Sequence, residues 1–153
     1  MLRLVLVLSV VAAAFSMMAG CSSSGSSAGA SSLTSIKDLA GEWTLSKLEG
    51  TDIASLLPAS MKKPTLGIGA DGKASGFTGV NRLTSSIDMD ALMKGQFKLG
   101  PAVTTKMAGP PEAMNVESKF LNGLMQAKSA KVSGGTLSLS DGAKELLSFV
   151  KGK

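Results

Sequence analysis

A chain of 153 residues with one cysteine and no histidine can build one domain on its own hydrophobic core, but not an internal disulfide, a thiolate zinc cluster or a histidine base. Its net charge of +5 is spread singly, and five Phe, one Trp and no Tyr supply no set of stacking aromatics, which excludes a nucleic-acid protein. Lys62 and Lys63, the longest basic run, read as solvated surface, with salt-sensitive attraction to anionic lipid headgroups as the alternative.

Residues 1–20 have the three parts of an export signal. Arg3 joins the free amine in a positive start, residues 4–18 are apolar apart from Ser9 and Ser16, and small residues follow. The stretch is too short and too poorly flanked to be a spanning helix. Met18-Ala19-Gly20-Cys21 resembles the bacterial lipobox, which makes Cys21 the expected lipidation site. A thiol is needed to accept the diacylglyceryl group, and small residues let the peptidase reach the bond. Each buried acyl methylene contributes about 0.8 kcal/mol, so two or three chains anchor durably. The competing reading is a secreted protein cut near Ala19. Ser22, where an Asp would favour inner-membrane retention, implies by the same resemblance an outer-membrane protein with its domain facing the periplasm. Residues 21–35 are then the lipidated cysteine and a Ser/Gly/Ala tether, expected as flexible coil, and 36–153 is the domain.

In the domain, residues 42–48 alternate with Trp43 and Leu45 on one face, as a strand does. Residues 52–59 suit a short helical turn ended by Pro58. Residues 65–69 and 74–78 form a hairpin through Asp71-Gly72. Residues 86–89 and 95–99 read as strands, with Asp88 and Asp90 on a solvated face. A helix opens at Pro110-Pro111, with Glu112 beside its positive end. Met114, Val116, Phe120, Leu121, Leu124, Met125 and Ala127 occupy about half of its wheel, which assigns the methionines to the core rather than to a ligand groove. Glu117 falls inside that arc, so it must snorkel outward or meet a cation or backbone amides. Two further strands, 131–140 and 144–151, turn at Asp141-Gly142. The order predicts an α+β fold: a curled, partly barrel-like antiparallel sheet with one main helix packed on it.

Five segments in order then carry a family resemblance: Gly41-Glu42-Trp43-Thr44-Leu45, Pro64-Thr65-Leu66, Ser75-Gly76-Phe77-Thr78-Gly79-Val80-Asn81-Arg82, Thr104-Thr105-Lys106-Met107-Ala108-Gly109, and the tail around Glu117, Phe120, Leu121 and Leu124 with Gly134 to Leu139. Together they resemble the META domain (HslJ-like) family over residues 39–150. The resemblance marks Gly76, Gly79, Asn81, Arg82, Thr105, Met107 and Glu117 as motif positions, structural or binding. Two positions where many relatives carry cysteine are Val80 and Gly109 here. If those cysteines pair in relatives, losing both is chemically consistent, and the two positions should lie close together. Gly76 and Gly79 suit special backbone shapes or close packing, Asn81 suits a turn, and Arg82 is a candidate partner for Glu117.

No cofactor, metal cluster or nucleophile–base pair is evident, so no catalytic residue is expected. The resemblance implies an envelope-stress setting. The expected function is a non-catalytic, membrane-anchored module that binds an envelope protein or peptide. The alternative is a carrier holding a small apolar ligand between sheet and helix. A hydrolase using Asp71, Asp88, Asp90 or Glu117 ranks third.

Overall fold

The computed structural model describes residues 31–32 and 35–152. The leader and Cys21 lie outside the described residues. The elements are β1 (Ser31–Ser32), α1 (Ile36–Leu39), β2 (Gly41–Leu48), β3 (Thr51–Asp52), α2 (Ile53–Leu56), β4 (Thr65–Ile68), β5 (Lys73–Phe77), β6 (Arg82–Ser86), α3 (Met89–Met93), β7 (Val103–Thr104), α4 (Pro111–Gln126), β8 (Ser129–Ser133), β9 (Thr136–Ser140) and β10 (Glu145–Lys151). The strands form one sheet in the order β1-β8-β9-β10-β2-β4-β5-β6-β7, with β3 added on β2. Their pairings are antiparallel. The sheet does not close, and β1 and β7 are its ends. The α+β expectation, a largely antiparallel sheet under one main helix, is the fold observed.

Local chemistry explains the layout. In β2, alternation buries Trp43 and Leu45, and a register shift against β10, between Ser148 and Phe149, turns Leu48 inward as well. Trp43 donates its Nε1–H to the Leu39 carbonyl at 2.8 Å, which satisfies the indole's one polar group as it is buried. The Lys151 ammonium sits 5.9 Å from the centre of its ring. Pro111 opens α4 where a missing N–H costs nothing. That helix buries Ala113, Val116, Glu117, Phe120, Gly123 and Leu124, and it packs on β9 and β10. Phe120 meets Phe149 edge to face with ring centres 6.1 Å apart. A Cβ at Gly123 would come within 3.0 Å of Leu147 Cγ, so the absent side chain sets how closely helix and strand approach. The space between sheet and helix is filled by side chains, Phe120, Leu124, Leu137, Leu147 and Phe149 among them.

Several expectations are corrected. The strand expected at 86–89 is only partly present: Ser86 ends β6 and Ile87 makes a bridge, but Asp88 caps α3, accepting from Ala91 N–H at 3.0 Å, and Asp90 lies in its first turn. Residues 95–99 contribute one bridge, Ile87 to Leu99, rather than a strand. Three strands follow α4, not two, because Gly134 and Gly135, both with positive φ, turn 131–140 into a hairpin. Met114 and Met125 are exposed, 38% and 71%. They lie at the margins of the apolar arc, where flexible thioethers reach past the sheet. Within the segment expected as coil, Ser31–Ser32 pairs with β8. Edge pairing uses backbone groups alone, which side-chain composition does not reveal.

Candidate functional site

The motif positions converge on the loop joining β5 to β6. Thr78 N–H donates to Asn81 O at 2.8 Å, closing a tight loop in which Gly79 has φ +113°. A side chain at Gly79 would be strained by that φ, and its Cβ would lie 3.5 Å from Ala113 O at the start of α4. The loop therefore rests against the helix beside Glu117.

Glu117 is 8% exposed, Asn81 2% and Thr78 fully buried. The Asn81 backbone N–H is shared between Glu117 Oε2 at 3.0 Å and Thr78 Oγ1 at 2.9 Å. Asn81 Nδ2 donates to Glu117 Oε1 at 2.9 Å and lies 3.1 Å from Oε2. The Thr78 hydroxyl also faces Glu117 Oε2, and its single proton is best spent on the charged acceptor. Burial of a carboxylate is thus offset by donors of the fold. Among the described residues the ion pairs are Lys73–Asp71, Lys98–Asp88 and Lys119–Glu49, so Glu117 has no cation. Arg82, the candidate partner, is exposed on the opposite face of β6 from buried Leu83 and does not pair with it. Of the three sequence alternatives, the backbone amide is realised in part, through Asn81 N–H alone, and the side chains of Asn81 and Thr78 supply the other donors.

The rest of the Asn81 amide holds the segment after β7. Its Oδ1 accepts from Met107 N–H and from the Thr105 hydroxyl, both at 2.7 Å, and its Nδ2 donates to Met107 O at 3.1 Å. One side-chain amide pairs with the Met107 peptide groups as a neighbouring strand would. Thr105 Oγ1 in turn accepts from Arg82 N–H at 3.1 Å. No buried side-chain polar atom among the described residues lacks a partner.

The other motif positions shape the backbone. A Cβ at Gly76 would overlap the carbonyl oxygen of Thr65, so glycine permits close approach of β4 and β5. Val80 and Gly109 are neighbours, as expected: a Cβ at Gly109 would sit 3.4 Å from Val80 Cβ and 2.7 Å from its Cγ2. The Met107 side chain is 56% exposed and divides two open grooves. One, of about 350 Å³, runs past Thr104, Lys106, Met114 and the covered Glu117. The other, of about 470 Å³, lies over Phe77, Val80 and Arg82. A third hollow of about 550 Å³ lies elsewhere, between Phe97, Met125 and Lys128. The acids weighed for hydrolysis are dispersed in separate structural roles, Asp71 capping its own turn and pairing with Lys73 at 3.0 Å. Among the described residues no group of three metal-ligating side chains comes together.

Sequence reasoning missed Thr78 and the strand-like pairing of Asn81 with Met107. The available signal for Thr78 was a hydroxyl residue three positions before Asn in a glycine-containing hairpin loop.

The profile of one domain family, the META domain, matches residues 35–153. An NMR structure of a protein from Burkholderia xenovorans is 26% identical, with a TM-score of 0.60 and coverage of 77% of this chain and 86% of that one. A second NMR structure, 17% identical with a TM-score of 0.55, covers 72% and 88% and shares the fold. No curated protein matches the chain.

Proposed function

We propose that this chain, which belongs to the META domain family, is a non-catalytic binding module held at the outer membrane by a lipid on Cys21 and serving the cell under envelope stress. The observation that carries the reading is the Asn81–Glu117 network. Its carboxylate accepts from the Asn81 backbone and side-chain amides, which turns this buried acid toward the fold rather than toward a substrate. Above it, the exposed Met107 and Met114 border open grooves, where flexible thioethers can adapt to a partner. The sequence around Cys21 supports the anchor, and the stress setting follows from the family resemblance alone. Packing between α4 and the sheet argues against an apolar ligand held inside.

Full-length protein expressed in a bacterial host tests this. Cys21→Ser should abolish incorporation of labelled palmitate and release the domain from the outer-membrane fraction. A photocrosslinking residue at Met107 should give a discrete adduct, and one at Lys144 should not. Unchanged fractionation of Cys21→Ser would refute the anchor, and identical patterns from both positions would refute a binding face at Met107.

A further inference from the structure

The outward face of the β5–β6 hairpin gathers exposed hydrogen-bond donors and cations around an apolar wall. Register places Ser75 opposite Thr84 and Phe77 opposite Arg82, and residues opposite one another two apart along a strand share a face. The Lys62 ammonium lies over the Phe77 ring, 5.4 Å from its centre, a cation–π contact that fixes the charge over this face. With Val80 and Met107 these residues line the 470 Å³ groove, and no Asp or Glu is among its lining residues. Lys73, Lys98 and Lys119 each have a carboxylate within 4 Å. Lys62 and Arg82 are in none of the ion pairs among the described residues. In the adjoining groove the one carboxylate, Glu117, is covered and hydrogen-bonded, while Lys106 adds another cation.

The donors define the ligand. A guanidinium fork, an ammonium and two hydroxyls suit the oxygens of a phosphate ester. Phe77, Val80 and Met107 beside them suit an apolar body attached to it. Exposed Met107 stands beside Lys62 and Arg82 in this groove and beside Met114 and Lys106 in the next, and exposed Val103 pairs with Thr84, which gives the alternation of cations and apolar tips found at a membrane interface. We propose that this groove takes the headgroup of an anionic phospholipid, its phosphate between Arg82 and Lys62 and its glycerol end against Val80 and Met107. The proposal deepens the binding-module reading and rests on it for the bilayer as the source of the ligand.

The test uses the full-length protein purified from host membranes in a nonionic detergent, with ¹³C-methyl methionine. Phosphatidylglycerol should shift the Met107 resonance saturably and leave Met125 still, whereas phosphatidylcholine should have no effect. Arg82→Gln and Lys62→Gln should each weaken the response about fivefold, Lys131→Gln should not, and added salt should weaken it in every protein. The remaining methionine resonances and Trp43 fluorescence verify folding of each variant. An equal shift with inorganic phosphate would mean a site for free anions and overturn the proposal. So would a response to an acidic hexapeptide but not to phosphatidylglycerol, or no response at Met107. In those cases a Met107-specific photocrosslink would still uphold the binding module, so the two readings fail separately.

Discussion

Glu117 and the surface trio Asp71, Asp88 and Asp141 use the same chemistry in opposite settings. Each accepts from main-chain amides: Asn81 for Glu117, Lys73 for Asp71, Ala91 for Asp88, and Ala143 with Lys144 for Asp141. Asp71 stands in solvent, and Asp88 and Asp141 are half-exposed at the surface. The hydrogen bond from the Lys73 side chain, followed by its backbone amide, holds Asp71 below the usual carboxylate range. The Ala91 amide does so for Asp88, with Lys98 second, and the Lys144 and Ala143 amides do so for Asp141. Water can replace any of these donors. Beneath Met107 there is no such substitute, because Glu117 and Asn81 are buried. Equal hydrogen bonds therefore carry unequal stakes: the surface set trims the ends of turns, and the buried set fixes how the β5–β6 loop, the 105–109 segment and α4 fit together.

The comparison is tested most severely by Asn81→Ala. It leaves a buried carboxylate and the Met107 peptide groups short of partners, and stripping a buried charge in this way costs about 3–5 kcal/mol. Urea denaturation should show that loss as a lower midpoint at unchanged slope. A loss under about 1 kcal/mol would mean that water reaches Glu117 after all. A crosslink should strengthen the same junction from a neighbouring point. Val80→Cys combined with Gly109→Cys brings together two Cβ positions 3.4 Å apart, close to the separation a disulfide spans. Oxidation should consume both introduced thiols, the sulfur of Cys21 being already committed to its proposed lipid, and stabilise the domain by about 2–4 kcal/mol over its reduced form. Persistence of both introduced thiols in the free form would show that the two segments do not meet. The smallest effect belongs to the surface trio. Their folded-state pKa values are depressed, so their stabilisation is complete above the ordinary carboxylate range and is lost as pH falls below about 4. Asp88→Asn should flatten part of that acid loss in thermal melts, and a melting profile identical to the parent between pH 2 and 5 would remove Asp88 from the account.

The two regions also differed in how far they could be read from residues alone. The hairpin at Asp71-Gly72, the strand holding Trp43 and the helix from Pro111 declare themselves through turn chemistry and periodicity, which act over a few neighbours. So does the place of Glu117 inside the apolar arc, which follows from helix geometry, although its burial there was one of the alternatives left open. Its partner did not follow. Charge logic favoured Arg82, but Arg82 follows Asn81 at the start of β6 and points to the outer face, and the solution lies in a loop amide 36 residues away in sequence. Pairings made by backbone groups, such as Met107 with the Asn81 amide or β1 with β8, leave no residue pattern at the receiving end. The strand expected at 86–89 stops after Ile87 for a local reason: Asp88 competes for backbone amides and starts a helix instead.

Trp43 has one more consequence. It is the only tryptophan in a chain without tyrosine, and it is enclosed at the start of β2, tied to α1 through Leu39 and capped by Lys151 near the end of β10. The intrinsic fluorescence of the protein is therefore a single-site signal from the seam where the first and last strands of the domain meet. An emission change reports the parting of that seam. Loosening confined to the Asn81 loop would pass optically unseen, so methyl or amide signals are needed to catch it.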